Sequence, residues 1–222
     1  MRKYSALFFL GLFLLLCACK KKVVTQKPSS LATLPFFNSA SFTPEWIEKE
    51  DKDYSKIHSI SDFSFTNQEG KTVTQNNFKG KIYVADFFFT TCTGICRSLS
   101  LNMKVLQDTY IDDPNVLLLS HSVTPEIDSV PILKKYAQHY GVDSSKWHLV
   151  TGDKEAIYKL ARDSYFSDED FVKTKSPSTF IHTENFVLVD TKGRIRGVYN
   201  GTLKLGVKRL IRHIKELKKE TL

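Results

Sequence analysis

The stretch "KIYVADFFFT", Lys81 to Thr90, constrains this chain more than any other. It is an almost unbroken apolar run of strand length without polar alternation. Both faces of such a strand must be covered, which calls for a central place in a sheet layered between helices. One residue interrupts it: Asp86 puts a carboxylate where burial is costly unless the group is paired or used. Cys92 and Cys96 follow at once, in "TTCTGIC". In open α/β sheets functional groups gather at the carboxyl ends of the strands, and Cys92 stands at that end of this one.

The remaining pattern supplies the layers. "DFSFTNQEGKTVTQNNFKGK" predicts two short strands around Asn67 and Gly70. "NVLLLSHSV" and "WHLVTG" predict further buried strands, and "SLSLNMKVLQDTY" has helical spacing. "SVPILKKYAQHYG" predicts a helix starting near Pro131 and stopping at Gly141, and "DKEAIYKLARDSY" one capped by Asp153. "ENFVLVDTKGRIRGVYNG" predicts a hairpin turning at Lys192 and Gly193, followed by an amphipathic helix carrying Leu203, Val207, Leu210, Ile211, Ile214 and Leu217. The expected fold is α/β and thioredoxin-like, with N-terminal strand additions and a C-terminal amphipathic helix.

The N-terminus predicts export. Arg2 and Lys3 precede "YSALFFLGLFLLLCA", of signal-peptide length and short for a bilayer span. The run ends in "LCAC", which resembles a bacterial lipoprotein box with Cys19 as the lipidated residue. The expected organisation is a signal peptide over 1–18, a lipid-anchored tether and packed extension over 19–54, and the thioredoxin-like domain over 55–222. The place is the extracytoplasmic face of a bacterial cell envelope. A leash to about Ser30 should give way to a segment that buries Phe36, Phe37, Phe42 and Trp46, since a free tether needs no aromatics. The formal charge of +8 comes partly from the two ends, Arg2 and Lys3, Lys20 to Lys22 and the basic residues of "KLGVKRLIRHIKELKK", rather than from basic residues interleaved with aromatics, which argues against nucleic acid as a partner.

Of four cysteines, export and lipidation leave Cys92 and Cys96. The loop between them is too short for a useful staple, so chemistry is the better reason for the pair. If a helix begins near Cys92, positions four apart share its face, and the helix N-terminus favours thiolate. Metal binding and disulfide exchange both remain open on these grounds. Asp86, six residues before Cys92, is either a proton acceptor for thiol exchange or a carboxylate satisfied by lysine or backbone donors. Pro177 either lies opposite the cysteines or is a simple turn residue. His121, ending the "NVLLLS" strand, has a claim to face the site.

The combination of "FFFTTCTGIC", "SVTPEID" and "FIHTENFVLVDTKGRI" resembles the Sco (SenC) copper chaperones over roughly Asp62 to Leu217. The resemblance implies one copper held by Cys92, Cys96 and His182, as Cu(I) or Cu(II). It also implies delivery to, or preparation of, the CuA centre on the copper-bearing subunit of cytochrome c oxidase, with a thiol reductant as second partner. Two soft thiolates suit Cu(I), and an added imidazole supports Cu(II). The alternative function is an extracytoplasmic thiol-disulfide oxidoreductase, with Cys92 as nucleophile, Cys96 as resolving thiol and Asp86 as proton acceptor. Thr93 and Arg97 stand where the family usually has proline, and Thr124 and Ile181 where it usually has aspartate. Arg97 is expected to lower the thiol pKa values while repelling a cationic metal modestly.

Overall fold

A computed structural model describes residues 33–167 and 183–220. The expectations for residues 1–32, with Cys19, and those for Pro177, Ile181 and His182 fall outside these residues. Among the described residues lie seven strands and four α-helices: β1 (Ser64–Asn67), β2 (Thr72–Thr74), β3 (Ile82–Phe88), α1 (Ile95–Thr109), β4 (Val116–Ser122), α2 (Val130–Tyr140), β5 (Trp147–Thr151), α3 (Lys154–Asp163), β6 (Asn185–Val189), β7 (Ile195–Asn200) and α4 (Lys204–Glu220). They form one mixed sheet in the order β2-β1-β5-β4-β3-β6-β7.

The apolar runs take the centre, as their lack of alternation requires. All seven residues of β3 and all seven of β4 are buried, and the two strands pair in parallel from Ile82–Val116 to Phe88–Ser122. Alternate residues serve two cores. Val84, Phe88, Leu118 and Leu149 meet Leu99, Met103 and Leu106 of α1, Leu133 of α2, and Leu210 and Ile214 of α4. On the other face, Tyr83, Phe87, Leu119 and Val150 meet Phe63, Phe65 and Phe78 and the α3 residues Ile157 and Ala161.

Local signals set the helix ends. The Asp153 carboxylate accepts the Ala156 N–H at 2.8 Å, and Pro131 lies in the first turn of α2. That helix stops at Gly141 with φ 64°, a left-handed conformation costly for any residue with a Cβ.

The segment before β1 is tied to the far edge of the sheet. Phe36 bridges Glu45, and the Phe37 N–H donates to the Ile195 carbonyl on edge strand β7 at 3.1 Å. Arg196, only 4% exposed, donates to the carbonyls of Leu34 and Pro35 and to Glu220 Oε2 at 2.7 Å, and lies 3.5 Å from Asp190. The guanidinium groups of Arg194 and Arg196 both lie on the Phe36 ring, at 4.7 and 4.3 Å. Phe36 is buried and Phe37 and Phe42 partly so, but Trp46 is 55% exposed. Its indole N–H reaches the Thr33 carbonyl at 3.3 Å instead of inserting into the core. A cavity of about 490 Å³ opens beside it, lined by Lys49, Tyr54 and Lys192 among others. It lies at the opposite end of the sheet from the cysteines.

Candidate functional site

β3 delivers the site. By the alternation of its side chains Asp86 points to the α1 side, with Val84 and Phe88. Beyond Phe88 the Cys92 N–H donates to the Phe89 carbonyl at 3.3 Å, closing a turn, and α1 starts only at Ile95 with Gly94 as N-cap. The expected helix start near Cys92 is therefore corrected: Cys92 sits in the turn before the helix and Cys96 in its first turn. Glycine and β-branched Thr93 are both poor helix formers, which defers the start.

The delay gives Cys92 better surroundings than a helical position would. The first N–H groups of a helix have no intrahelical acceptor. Here those of Gly94, Ile95 and Cys96 turn to the Cys92 sulfur, and so does the Cys96 thiol. Partial burial pushes the Cys92 pKa up, but the Cys96 thiol and these N–H groups outweigh it and hold it below the ordinary thiol value. Cys96 is 3% exposed; burial, and then its donation to Cys92, push its pKa up to about 12. The result is a partly exposed thiolate former beside a buried proton-bearing thiol, with both cysteines free. Arg97 is exposed, and the lowering at Cys92 comes from these sulfur and backbone donors.

Asp86 is 2% exposed, and burial, slightly offset by a hydrogen bond from Ser120, raises its pKa to about 7. Its Oδ1 has no hydrogen-bond partner, and neither a lysine nor a backbone donor satisfies it. It is close enough to Cys96 for its charge to help raise that thiol. Because the folded value lies above the ordinary carboxyl value, protonated Asp86 favours folding below about pH 4, and the contribution is lost as pH rises through about 7. Each unit between is worth about 1.4 kcal/mol. The Asp86→Asn variant should lose this part of the pH dependence, gaining stability over the parent more at pH 8 than at pH 5 in urea unfolding of the reduced protein. Equal differences at both pH values would refute the raised pKa.

His121 does not face the cysteines. It aligns with Phe87 across β3–β4 and stacks on that ring with centroids 4.9 Å apart, among Phe63, Phe65 and Tyr165 on the α3 side. The same period-two alternation that puts Asp86 under α1 sends His121 through the sheet to the opposite core. Burial lowers its pKa to about 4, so it is a neutral packing residue.

One residue of the site escaped the sequence reading. Asp128, fully buried, accepts from Thr90, Ser122 and Thr124 and so joins the loop before Cys92 to the loop after β4. Its signal was present as the last residue of "SVTPEID", an acidic residue just past a strand's carboxyl end. Among the described residues no three histidine, cysteine or carboxylate side chains gather as a metal site. The two sulfurs are the metal-capable pair, and their donor chemistry fits a soft cation such as Cu(I).

A parallel β3-α1-β4-α2-β5 unit followed by an antiparallel hairpin and helix, with a dithiol just past the end of its first strand, defines a thioredoxin-like dithiol protein. More narrowly, the chain belongs to the SCO1/SenC family, whose model matches residues 51–219. A SCO1/SenC family lipoprotein from Bacillus anthracis is 32% identical, with TM-score 0.63 over 72% of this chain and 95% of that one. BsSco, a member of the Sco family of cytochrome c oxidase assembly proteins, is 29% identical, with TM-score 0.62 over 73% and 95%. ScoI from Bradyrhizobium japonicum, solved with copper bound, is 25% identical, with TM-score 0.53 over 70% and 99%.

Proposed function

We propose that this chain is a membrane-tethered, extracytoplasmic copper chaperone that carries copper on Cys92, Cys96 and His182. Its acceptor is the CuA-bearing subunit of cytochrome c oxidase or a similar copper protein. The observation that carries this reading is the pair of free cysteines, Cys92 partly exposed and Cys96 buried, just past the end of the interior strand β3. A copper-bound relative and a relative named for oxidase assembly support it. Cys19 would hold the lipid after removal of residues 1–18, in keeping with the family lipoprotein among the solved structures. Copper is cargo: the sulfurs take it as thiolates, so loading requires the reduced pair and releases protons. His182 supplies the harder nitrogen that Cu(II) prefers.

The test is a competition titration of reduced protein with Cu(I) and Cu(II). His182→Ala should weaken Cu(II) binding far more than Cu(I) binding; unchanged binding of both would remove His182 from the ligand set. A second reading, thiol-disulfide exchange, is favoured by one observation: the buried Asp86 carboxylate near Cys96, whose Oδ1 has no hydrogen-bond partner. On that reading Asp86 takes the Cys96 proton as Cys96 attacks a mixed disulfide. Asp86→Asn should then slow exchange roughly tenfold or more near neutral pH, and an unaltered rate would leave Asp86 a structural group.

A further inference from the structure

The Asp128 carboxylate is the most heavily bonded side chain near the cysteines, and neither copper binding nor thiol exchange as described uses it. It is 0% exposed, and no salt bridge to it is present among the described residues. Neutral donors surround it instead. Thr90 Oγ1 donates at 2.5 Å to Oδ1 and the Thr90 N–H at 3.3 Å to Oδ2. Ser122 Oγ and Thr124 Oγ1 donate to Oδ2 at 2.5 and 3.0 Å. A buried ion without a counter-ion is tolerated only if such donors replace water, and hydrogen bonds to a charged acceptor are worth more than neutral ones.

Two segments meet on this carboxylate. Thr90 lies two residues before Cys92; Ser122 and Thr124 end β4 and open the loop toward α2. Downstream, Cys92 is held by the start of α1, but Gly94 provides no side-chain cap. Upstream, Thr90 is tied to Asp128, beside the 3.3 Å bond between the Cys92 N–H and the Phe89 carbonyl, the 2.9 Å bond from the Val123 N–H to the Phe88 carbonyl, and a Phe89 backbone bond to the Cys96 sulfur. We infer that Asp128 is a positioning residue for the dithiol: through Thr90 it fixes the turn that holds the Cys92 sulfur over Cys96 and the first N–H groups of α1. A disulfide demands a narrow range of geometry whereas two free thiols do not, so loosening the turn disfavours the disulfide more than the dithiol. The inference rests on the proposed function only in taking the dithiol as the working site, whether for copper or for thiol exchange.

The experiment equilibrates the full-length chain in detergent with glutathione buffers. Cys92 and Cys96 lose two electrons and two protons to form one S–S bond, and glutathione disulfide gains them to become two glutathione thiols. Thr90→Val removes the hydroxyl donor at nearly constant shape, Thr90→Ser restores it, and Asp128→Asn removes the charge. Thr90→Val and Asp128→Asn should each shift the equilibrium constant at least tenfold toward the dithiol, about 30 mV for a two-electron couple. Thr90→Ser should match the parent. An unmoved constant in folded Thr90→Val, with only its thermal midpoint lowered, would make the contact merely structural and overturn the inference. A shift in Asp128→Asn alone would overturn it too, since charge rather than position would be responsible. A parent that forms no intramolecular disulfide in any buffer would overturn the dithiol reading itself and the positioning role with it.

Discussion

Replacing Arg196 with alanine is expected to destabilise the fold by about 3–5 kcal/mol, the usual cost of breaking a buried ion pair and leaving its partners uncompensated. Arg196 is 4% exposed and holds four things at once: the Leu34 and Pro35 carbonyls, Glu220 at the end of α4, Asp190 in the β6–β7 turn, and the face of Phe36. Arg194 can still neutralise Asp190, with contacts of 2.8 and 2.9 Å. Glu220 keeps only the Leu34 N–H, at 2.7 Å on its Oε1, and has no second cation among the described residues. The loss should therefore be double: a lower urea midpoint, and faster proteolysis between Thr33 and Trp46 under native conditions. A change below about 1 kcal/mol, with unaltered proteolysis, would mean that aromatic packing alone secures the segment.

The second large effect is on copper. Cys92→Ser and Cys96→Ser should each weaken Cu(I) binding by more than about 100-fold in competition with a chromophoric chelator, because a hydroxyl offers a hard oxygen that stays protonated at neutral pH where a soft thiolate is needed. The two variants should differ in stability. Cys92 is partly exposed, so serine there is nearly neutral; Cys96 is 3% exposed, and a buried hydroxyl with imperfect partners costs roughly 1–3 kcal/mol. Retained tight binding in either folded variant would exclude that sulfur as a ligand and sink the chaperone reading.

The architecture was legible because its strongest signals are one-dimensional. A run such as "IYVADFF" has one good solution, a strand covered on both faces, and Asp153 and Gly141 end their helices by local bonding and local conformation. The site was legible in part. Cys92, Cys96 and Asp86 share one strand–turn–helix unit, so their proximity follows from sequence spacing. His121 shows the limit: a chain position at the correct end of a strand says nothing of which face it serves until the register with β3 is known. Asp128 shows another, because its partners come from residues 90, 122 and 124, and only tertiary folding brings Thr90 to it. Trp46 failed for a different reason. Aromatic content predicts that something in the segment is buried, and Phe36 satisfies that while Trp46 stays outside.

The attachment of the N-terminal segment also gives the molecule a head and a tail. Leu34 to Phe37 lie against Ile195, Arg196 and Glu220, at the end of the sheet where β3 begins, whereas Cys92 follows the end where β3 finishes. Seven strand residues separate these ends, roughly 23 Å at about 3.3 Å per residue. A surface that grips the chain ahead of Thr33 thus holds the molecule by its tail. The thiols then stand at the other end of the sheet, a strand's length from that grip.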